Sequence, residues 1–202
     1  MNEVTLYLLN TSLVKDKYDF VLSFIDKSRK EKAMKFVQEK DRLLSLGAAY
    51  LLKKYLPEGD IKETKSGKPY LEGGPYFNVS HSNALVTLAL SYTRDVGVDA
   101  ELIDESRVDA ISYVLKGEEK KISDPKALFQ IWSNKESLIK CISTGLKDIK
   151  SVDGLPLEGV RKVNNEAYFS KSSIYDGYSL SVTLKGDEPF NININHIDVL
   201  EE

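Results

Sequence analysis

The chain has 202 residues, 42% hydrophobic and 29% charged, which suits one large globular domain or two small halves sharing a core. A formal net charge of −3 offers no basic field to nucleic acid or an anionic membrane. One cysteine, Cys141, rules out an internal disulfide and fits a cytoplasmic protein, and no apolar run has the length of a leader segment or membrane span.

In chain order, "VTLYLL" at residues 4–9 predicts a first strand. Residues 19–37 predict one helix, or two broken near residues 26–28, with Phe20, Phe24, Ala33 and Phe36 among charges. Residues 41–56 predict a stronger helix through Leu43, Leu44, Leu46, Ala48, Leu51, Leu52 and Leu56, stopped by Pro57 and Gly59. Strands follow at 61–64, 70–71, 76–80, 85–91 and 96–101. Helical patterns return at 108–115, 118–122 and 125–144, the last ended by Gly145. Strands then fill 160–163, 167–170, 172–175, 179–184 and 190–199. "ALVTLALS" at 84–91 echoes "SLSVTLKG" at 179–186, and helix-strand order repeats with it. The expected fold is therefore α+β, two similar α+β halves related by pseudo-two-fold symmetry. Their expected extents are 1–103 and 104–202.

Three stretches carry chemistry. "VGVDAE" ends an apolar strand in Asp99 and Glu101, which face the same way, roughly 6.5 Å apart along the chain. Two like charges on one face call for a cation between them, and a hard divalent ion suits oxygen ligands. A bare D-x-E is also short and common, and equally describes a strand surfacing into solvent. "WSNKESLIK" places Trp132, Lys135, Glu136 and Lys140 on one helical stripe, which could add a carboxylate and two cations. The plain alternative is an i, i+4 ion pair, Glu136–Lys140, worth only ~0.2–0.5 kcal/mol. "SGKPYLEGGPYFNVSHS" offers Lys68 in a turn, then Ser80, His81 and Ser82 at a strand end, suggesting a phosphate pocket. No G-x-S-x-G elbow supports a serine hydrolase. Arg29, Lys30, Glu31, Lys32 and Lys35 read as a solvated helix face, His196 as structural, and Cys141 as a small core residue.

With the basic residues before Phe36, the Asp41 helix, "GKPY", "FNVSHS", "VGVDAE", "YVLKGEE" and "WSNKESLIK" followed by "TGL", the chain resembles the Sfp-type 4′-phosphopantetheinyl transferases over most of its length. The combination is specific where its parts are not. The resemblance implies the 4′-phosphopantetheinyl transferase fold and transfer of the phosphopantetheine arm of coenzyme A to a serine of an apo acyl or peptidyl carrier protein, releasing 3′,5′-ADP. It implies Mg²⁺ on Asp99, Glu101 and Glu136. Asp99, Glu136 and Lys140 would act in the reaction, with Glu136 the first candidate for the base. Coenzyme A would meet Lys32, Lys35, Lys68, Ser80, His81, Lys135 and Lys140, with His81 at the 3′-phosphate. Where the family carries an arginine on the Asp41 helix this chain has Leu44, with Arg42 as the neighbouring candidate. Asn83 stands where a glycine is usual, and residues 143–146 read Ser-Thr-Gly-Leu.

The resemblance further implies a monomer that engages a carrier protein and coenzyme A, with neither nucleic acid nor membrane as partner. The stretch 107–122, with Val108, Ile111, Val114 and Leu115, is the expected carrier surface, or else ordinary core. Two other functions compete: a non-catalytic binder of coenzyme A or nucleotide, and a Mg²⁺-dependent phosphohydrolase. The first has no use for three metal carboxylates. The second leaves "GKP" and "SHS" together unexplained.

Overall fold

Alternation along the first strand sets the layering. In the computed structural model, which describes residues 2–201, β1 (Asn2–Asn10) turns Val4, Leu6 and Leu8 to one side and Tyr7 and Leu9 to the other. Both sides are apolar, so both must be covered. β1 lies inside a sheet of order β10-β1-β5-β4, where β4 is Tyr76–Ser82, β5 is Leu85–Ser91 and β10 is Phe190–Ile197. A second sheet has order β6-β9-β8-β7, with β6 at Val96–Leu102, β7 at Glu158–Val163, β8 at Glu166–Tyr175 and β9 at Tyr178–Lys185. Val4, Leu6 and Leu8 share one apolar cluster with Val98 and Ala100 of β6 and Leu180 and Val182 of β9, so the sheets face each other.

One long helix covers each outer face. α4 (Glu39–Tyr55) packs Leu43, Leu46, Tyr50 and Leu51 over the first sheet. α6 (Pro125–Ile142), capped by the Asp124 carboxylate on the Ala127 N–H, lies over the second. Its contact with β9 is a layer of hydroxyls: Ser133 Oγ meets Ser179 Oγ at 2.6 Å and Ser181 Oγ at 2.7 Å, and Ser137 Oγ meets Thr183 Oγ1 at 2.8 Å. Small side chains let α6 approach closely. At Gly97 of β6 a Cβ would overlap the Ser137 carbonyl oxygen and stand 2.5 Å from Cys141 N.

The expected pseudo-symmetry is present. β5 runs antiparallel between β1 and β4, as β9 does between β6 and β8, and α4 corresponds to α6. The echoing segments are these two equivalent strands, β5 and β9. The division at 103/104, however, runs through both sheets: β6 belongs to the second, and β10 returns to pair in parallel with β1. Alternation specifies that a strand is covered, not which strand lies beside it.

Smaller differences are local. Residues 11–16, where hydropathy predicts no element, form a helix, α1 (Thr11–Asp16), announced by Asn10, whose side chain accepts the Ser12 N–H. Of the one helix or two expected over 19–37, the structure has two, α2 (Tyr18–Phe24) and α3 (Lys27–Met34), broken at extended Ile25 and Asp26, next to the expected break at 26–28. A short hairpin, β2 (Ile61–Glu63) with β3 (Pro69–Leu71), precedes β4. α5 (Val108–Ser112) sits between single 3-10 turns at Glu105–Arg107 and Gly117–Lys121. β8 is one strand rather than two. α6 ends at Ser143, itself left-handed at φ 66°, two residues before the expected Gly145. Asn83 has φ 54°, the conformation expected of the residue that replaces glycine there. No helix among the described residues is long and apolar enough to cross a membrane.

Candidate functional site

Gly97, Asp99 and Glu101 alternate on the β6 face toward α6, while Val96, Val98 and Ala100 fill the layer between the sheets. This answers why an apolar strand ends in acids: one face is core and the other is a site. Asp99 is 2% exposed. Its Oδ1 accepts from Lys140 Nζ at 2.6 Å and from Ser80 Oγ at 2.9 Å, and Lys140 Nζ also reaches Ser80 Oγ at 3.0 Å. Glu136, one turn before Lys140, lies 3.7 Å from the same ammonium. The bland i, i+4 pair thus exists, but in a buried cluster joining both sheets rather than on a solvated face.

The electrostatics follow from that burial. Loss of solvent raises the Glu136 carboxyl from 4.5 to about 8, and the Asp99 charge adds to the effect against the opposing Lys140 ammonium. Burial works to lower Lys140, but Asp99 and Glu136 outweigh it and hold the ammonium above its ordinary value. A carboxyl raised on folding stabilises the protein fully below its unfolded value and loses that contribution as pH rises through the folded one. Metal-free protein should therefore lose stability as pH rises through about 8. Glu136→Gln, which keeps the shape and cannot ionise, should flatten the melting temperature between about pH 5 and pH 9. Parallel pH profiles for the two proteins in thermal melts would remove Glu136 as the group responsible.

The expected three-carboxylate set does not stand assembled. Glu101 Oε2 is taken by Ser82 Oγ at 3.0 Å and Arg107 Nη1 at 3.2 Å, and Lys140 sits on Asp99. Among the described residues no three His, Cys, Asp or Glu side chains are arranged to share one ion. The donor chemistry nonetheless fits a cation. Asp99 Oδ2 is buried without a hydrogen-bond partner, and the Glu136 carboxyl is raised in part by the Asp99 and Glu101 charges.

Two cavities flank the cluster. The larger, about 630 Å³, lies between α3, α4 and β4 and is lined by Arg29, Lys32, Asp41, Leu44 and His81 among others. The smaller, about 230 Å³, is lined by Lys68, Asn78, Glu136, Lys140 and Ser143. Gly67, Pro69 and Val79 line both, so the two form one groove. His81 is solvent-exposed on this groove; partial desolvation and the Lys140 charge hold its imidazole below the ordinary value. Lys68 Nζ reaches Asp95 Oδ1 at 3.2 Å and the Cys141 carbonyl at 3.1 Å, near the C-terminus of α6.

Several expected contacts move. Lys32 is at the cavity, but exposed Lys35 is not among its lining residues. Arg42 also leaves it: residues 41, 44, 45 and 48 of α4 line the cavity, and Arg42, about 100° further round than Asp41, reaches the Val37 carbonyl at 3.4 Å. Arg29, read as part of a solvated face, is a lining residue, as helix spacing from Lys32 would allow. Ser80 is 5% exposed and serves Asp99 and Lys140 directly.

The largest correction concerns Lys135. It is fully buried on the other side of α6, paired with Glu119 at 2.8 Å and donating to the Val152 and Val114 carbonyls at 2.9 and 3.2 Å. One residue of helix separates it from Glu136 and turns it about 100° away. Glu119, of the "YVLKGEE" stretch, also accepts from the Lys116 and Gly154 N–H groups at 2.9 and 2.6 Å, tying the loop after α6 to the turn before it. In the expected carrier surface at 107–122, Ile111, Val114 and Leu115 are buried and Val108 is partly buried, so these apolar side chains serve the core; the polar positions between them are exposed, as is Tyr113, which lies under the Lys150 ammonium, 3.2 Å from its ring centre. Cys141 is buried, as expected of a small core residue, and desolvation pushes its thiol up to about 12.

Residues 95–188, which span β6, α6 and β9, match the family model described as the 4′-phosphopantetheinyl transferase superfamily. The chain is also similar to a 4′-phosphopantetheinyl transferase, gsp, of Aneurinibacillus migulanus: 29% identity over 144 residues, covering 64% of this chain and 60% of that protein. A second similarity is to the 4′-phosphopantetheinyl transferase HetI of a Nostoc species, 29% over 101 residues and 43% of each chain. The chain thus spans about three-fifths of the first relative's length and about two-fifths of the second's.

Proposed function

We propose that the chain is a 4′-phosphopantetheinyl transferase, like the proteins it is similar to, and that it transfers the phosphopantetheine arm of coenzyme A to a serine of an apo acyl or peptidyl carrier protein in a Mg²⁺-dependent reaction. One observation carries this reading. A groove with Arg29 and Lys32 as cations and His81 as an imidazole on its lining runs into the buried cluster of Asp99, Glu136 and Lys140. A nucleotide diphosphate has that shape: a wide adenosine end and a narrow, doubly charged end.

Coenzyme A would lie with its adenosine phosphate toward Lys32 and His81 and its diphosphate toward Lys140. Asp99, Glu101 and Glu136 would hold Mg²⁺, which would supply charge neutralisation at the diphosphate. The carrier serine oxygen forms a bond to the phosphorus that bears the pantetheine arm, and the bond to the bridging oxygen breaks, releasing 3′,5′-ADP. Glu136, ionised beside the bound cation, would accept the serine proton directly or through water. Lys140, a fixed cation already in place, stabilises charge developing on the phosphate oxygens. Its replacement by alanine should cost on the order of 10²–10³ in rate.

The test is incubation with coenzyme A, Mg²⁺ and a panel of apo carrier proteins, read by intact mass. The expected result is gain of one phosphopantetheine by at least one carrier, dependent on Mg²⁺. Cleavage of coenzyme A without a carrier would mean a hydrolase, and binding without either would mean a coenzyme A module. His81→Ala should weaken coenzyme A more than 3′-dephospho-coenzyme A, and the gap should widen as pH falls and the imidazole of the unsubstituted protein becomes charged. Equal losses for the two substrates would sink the 3′-phosphate role.

A further inference from the structure

The two sheets approach each other edge to edge at β4 and β6, yet no backbone ladder joins them. Three side chains of β4, at every second position, accept three successive outward N–H groups of β6. Asn78 Oδ1 accepts Val98 N at 3.0 Å, Ser80 Oγ accepts Ala100 N at 3.3 Å, and Ser82 Oγ accepts Leu102 N at 3.0 Å. The same two hydroxyls donate to the acids: Ser80 Oγ to Asp99 Oδ1 at 2.9 Å and Ser82 Oγ to Glu101 Oε2 at 3.0 Å.

A serine hydroxyl has one proton and two acceptor positions. Ser80 fills both acceptor positions, with Ala100 N–H and the Lys140 ammonium, so its proton has Asp99 as its only destination. Ser82 accepts the Leu102 N–H and sends its proton to Glu101. The backbone of β6 thereby fixes the polarity of each hydroxyl, and the hydroxyl fixes which carboxylate oxygen is engaged. For Asp99 that is Oδ1, and Oδ2 is left buried and unpartnered. Asn78 joins the seam without touching an acid.

We propose that Ser80 and Ser82 are positioning residues, which couple the joint between the two halves to the orientation of Asp99 and Glu101, rather than contacts for coenzyme A. The proposal rests on the metal-site reading above and differs from it in what it predicts. Ser82, half-buried, is the cleaner probe, since removing Ser80 also strips Lys140 of a partner. In Mg²⁺ and Mn²⁺ calorimetry without coenzyme A, Ser82→Ala should lose about tenfold or more in metal affinity, the usual consequence of removing a hydrogen bond behind a ligand. Ser82→Thr, which keeps the hydroxyl, should restore it. Asn78→Ala breaks the seam elsewhere, so it should lower the melting temperature while holding metal affinity within about twofold.

Equal losses of metal affinity in Ser82→Ala and Asn78→Ala would overturn the proposal, leaving the seam merely structural. So would a loss of coenzyme A affinity at saturating metal larger than the loss of metal affinity. Absence of metal binding by the unsubstituted protein would end the metal reading instead. Amide exchange in metal-free protein then decides the seam. Ser82→Ala should expose the Leu102 N–H to exchange and Asn78→Ala should not, and unchanged Leu102 protection in Ser82→Ala would refute the coupling.

Discussion

Asp99→Ala should reduce transfer to a carrier serine by about 10³-fold or more, since it removes the one carboxylate that both seam and helix are built around. The fold should survive. Breaking a buried ion pair usually costs about 3–5 kcal/mol because a charge is left alone, but here the Lys140 ammonium keeps Glu136 3.7 Å away. The Glu136 carboxyl is raised first by burial and second by the Asp99 charge, so losing that charge lets it ionise more readily and take over as counterion. The measurement is carrier mass gain across a Mg²⁺ titration beside a thermal melt. Near-normal transfer at ordinary Mg²⁺ would take Asp99 out of the mechanism. A collapse of the melting curve would mean that Glu136 does not compensate.

Gly97→Ala should damage both stability and rate, although residue 97 has no side chain with which to touch a substrate. A single methyl there runs into the α6 backbone at Ser137 and Cys141, which no rotamer change relieves. Overpacking of this kind costs about 1–3 kcal/mol, or roughly 2–12 °C in melting temperature for a chain of this size. Relief requires α6 to move off β6, and Glu136 and Lys140 ride on α6 while Asp99 rides on β6. Displacement by about 1 Å is enough to cost on the order of 10² in rate. Differential scanning calorimetry and single-turnover transfer check the two arms. Ordinary stability together with ordinary turnover would show that the helix–strand approach has slack.

Much of this arrangement is legible in residues taken alone. Strict alternation in "VGVDAE" puts Asp99 and Glu101 on one face and three small apolar residues on the other, because strand geometry repeats every two residues. The wide apolar stripe of α4, the capped start of α6 and the equivalence of β5 and β9 are likewise local patterns, set by backbone periodicity. Glu136 and Lys140 share a face for the same reason.

The rest is a matter of direction and partnership, which local periodicity does not encode. Lys135 and Glu136 are neighbours in sequence, but a helix sends neighbours about 100° apart, and only packing reveals that the sheet seam lies under one and the Glu119 carboxylate under the other. β6 and β10 look like ordinary strands of their own halves, yet each adds to the other half's sheet, because an uncovered edge is satisfied by whichever strand the tertiary fold brings to it. The chemical types at the site, three acids, a lysine, two serines and a histidine, are determined by residue identity and local spacing. The tertiary structure alone decided which of them meet, by bringing β4, β6 and α6, distant along the chain, within hydrogen-bond reach of one carboxylate.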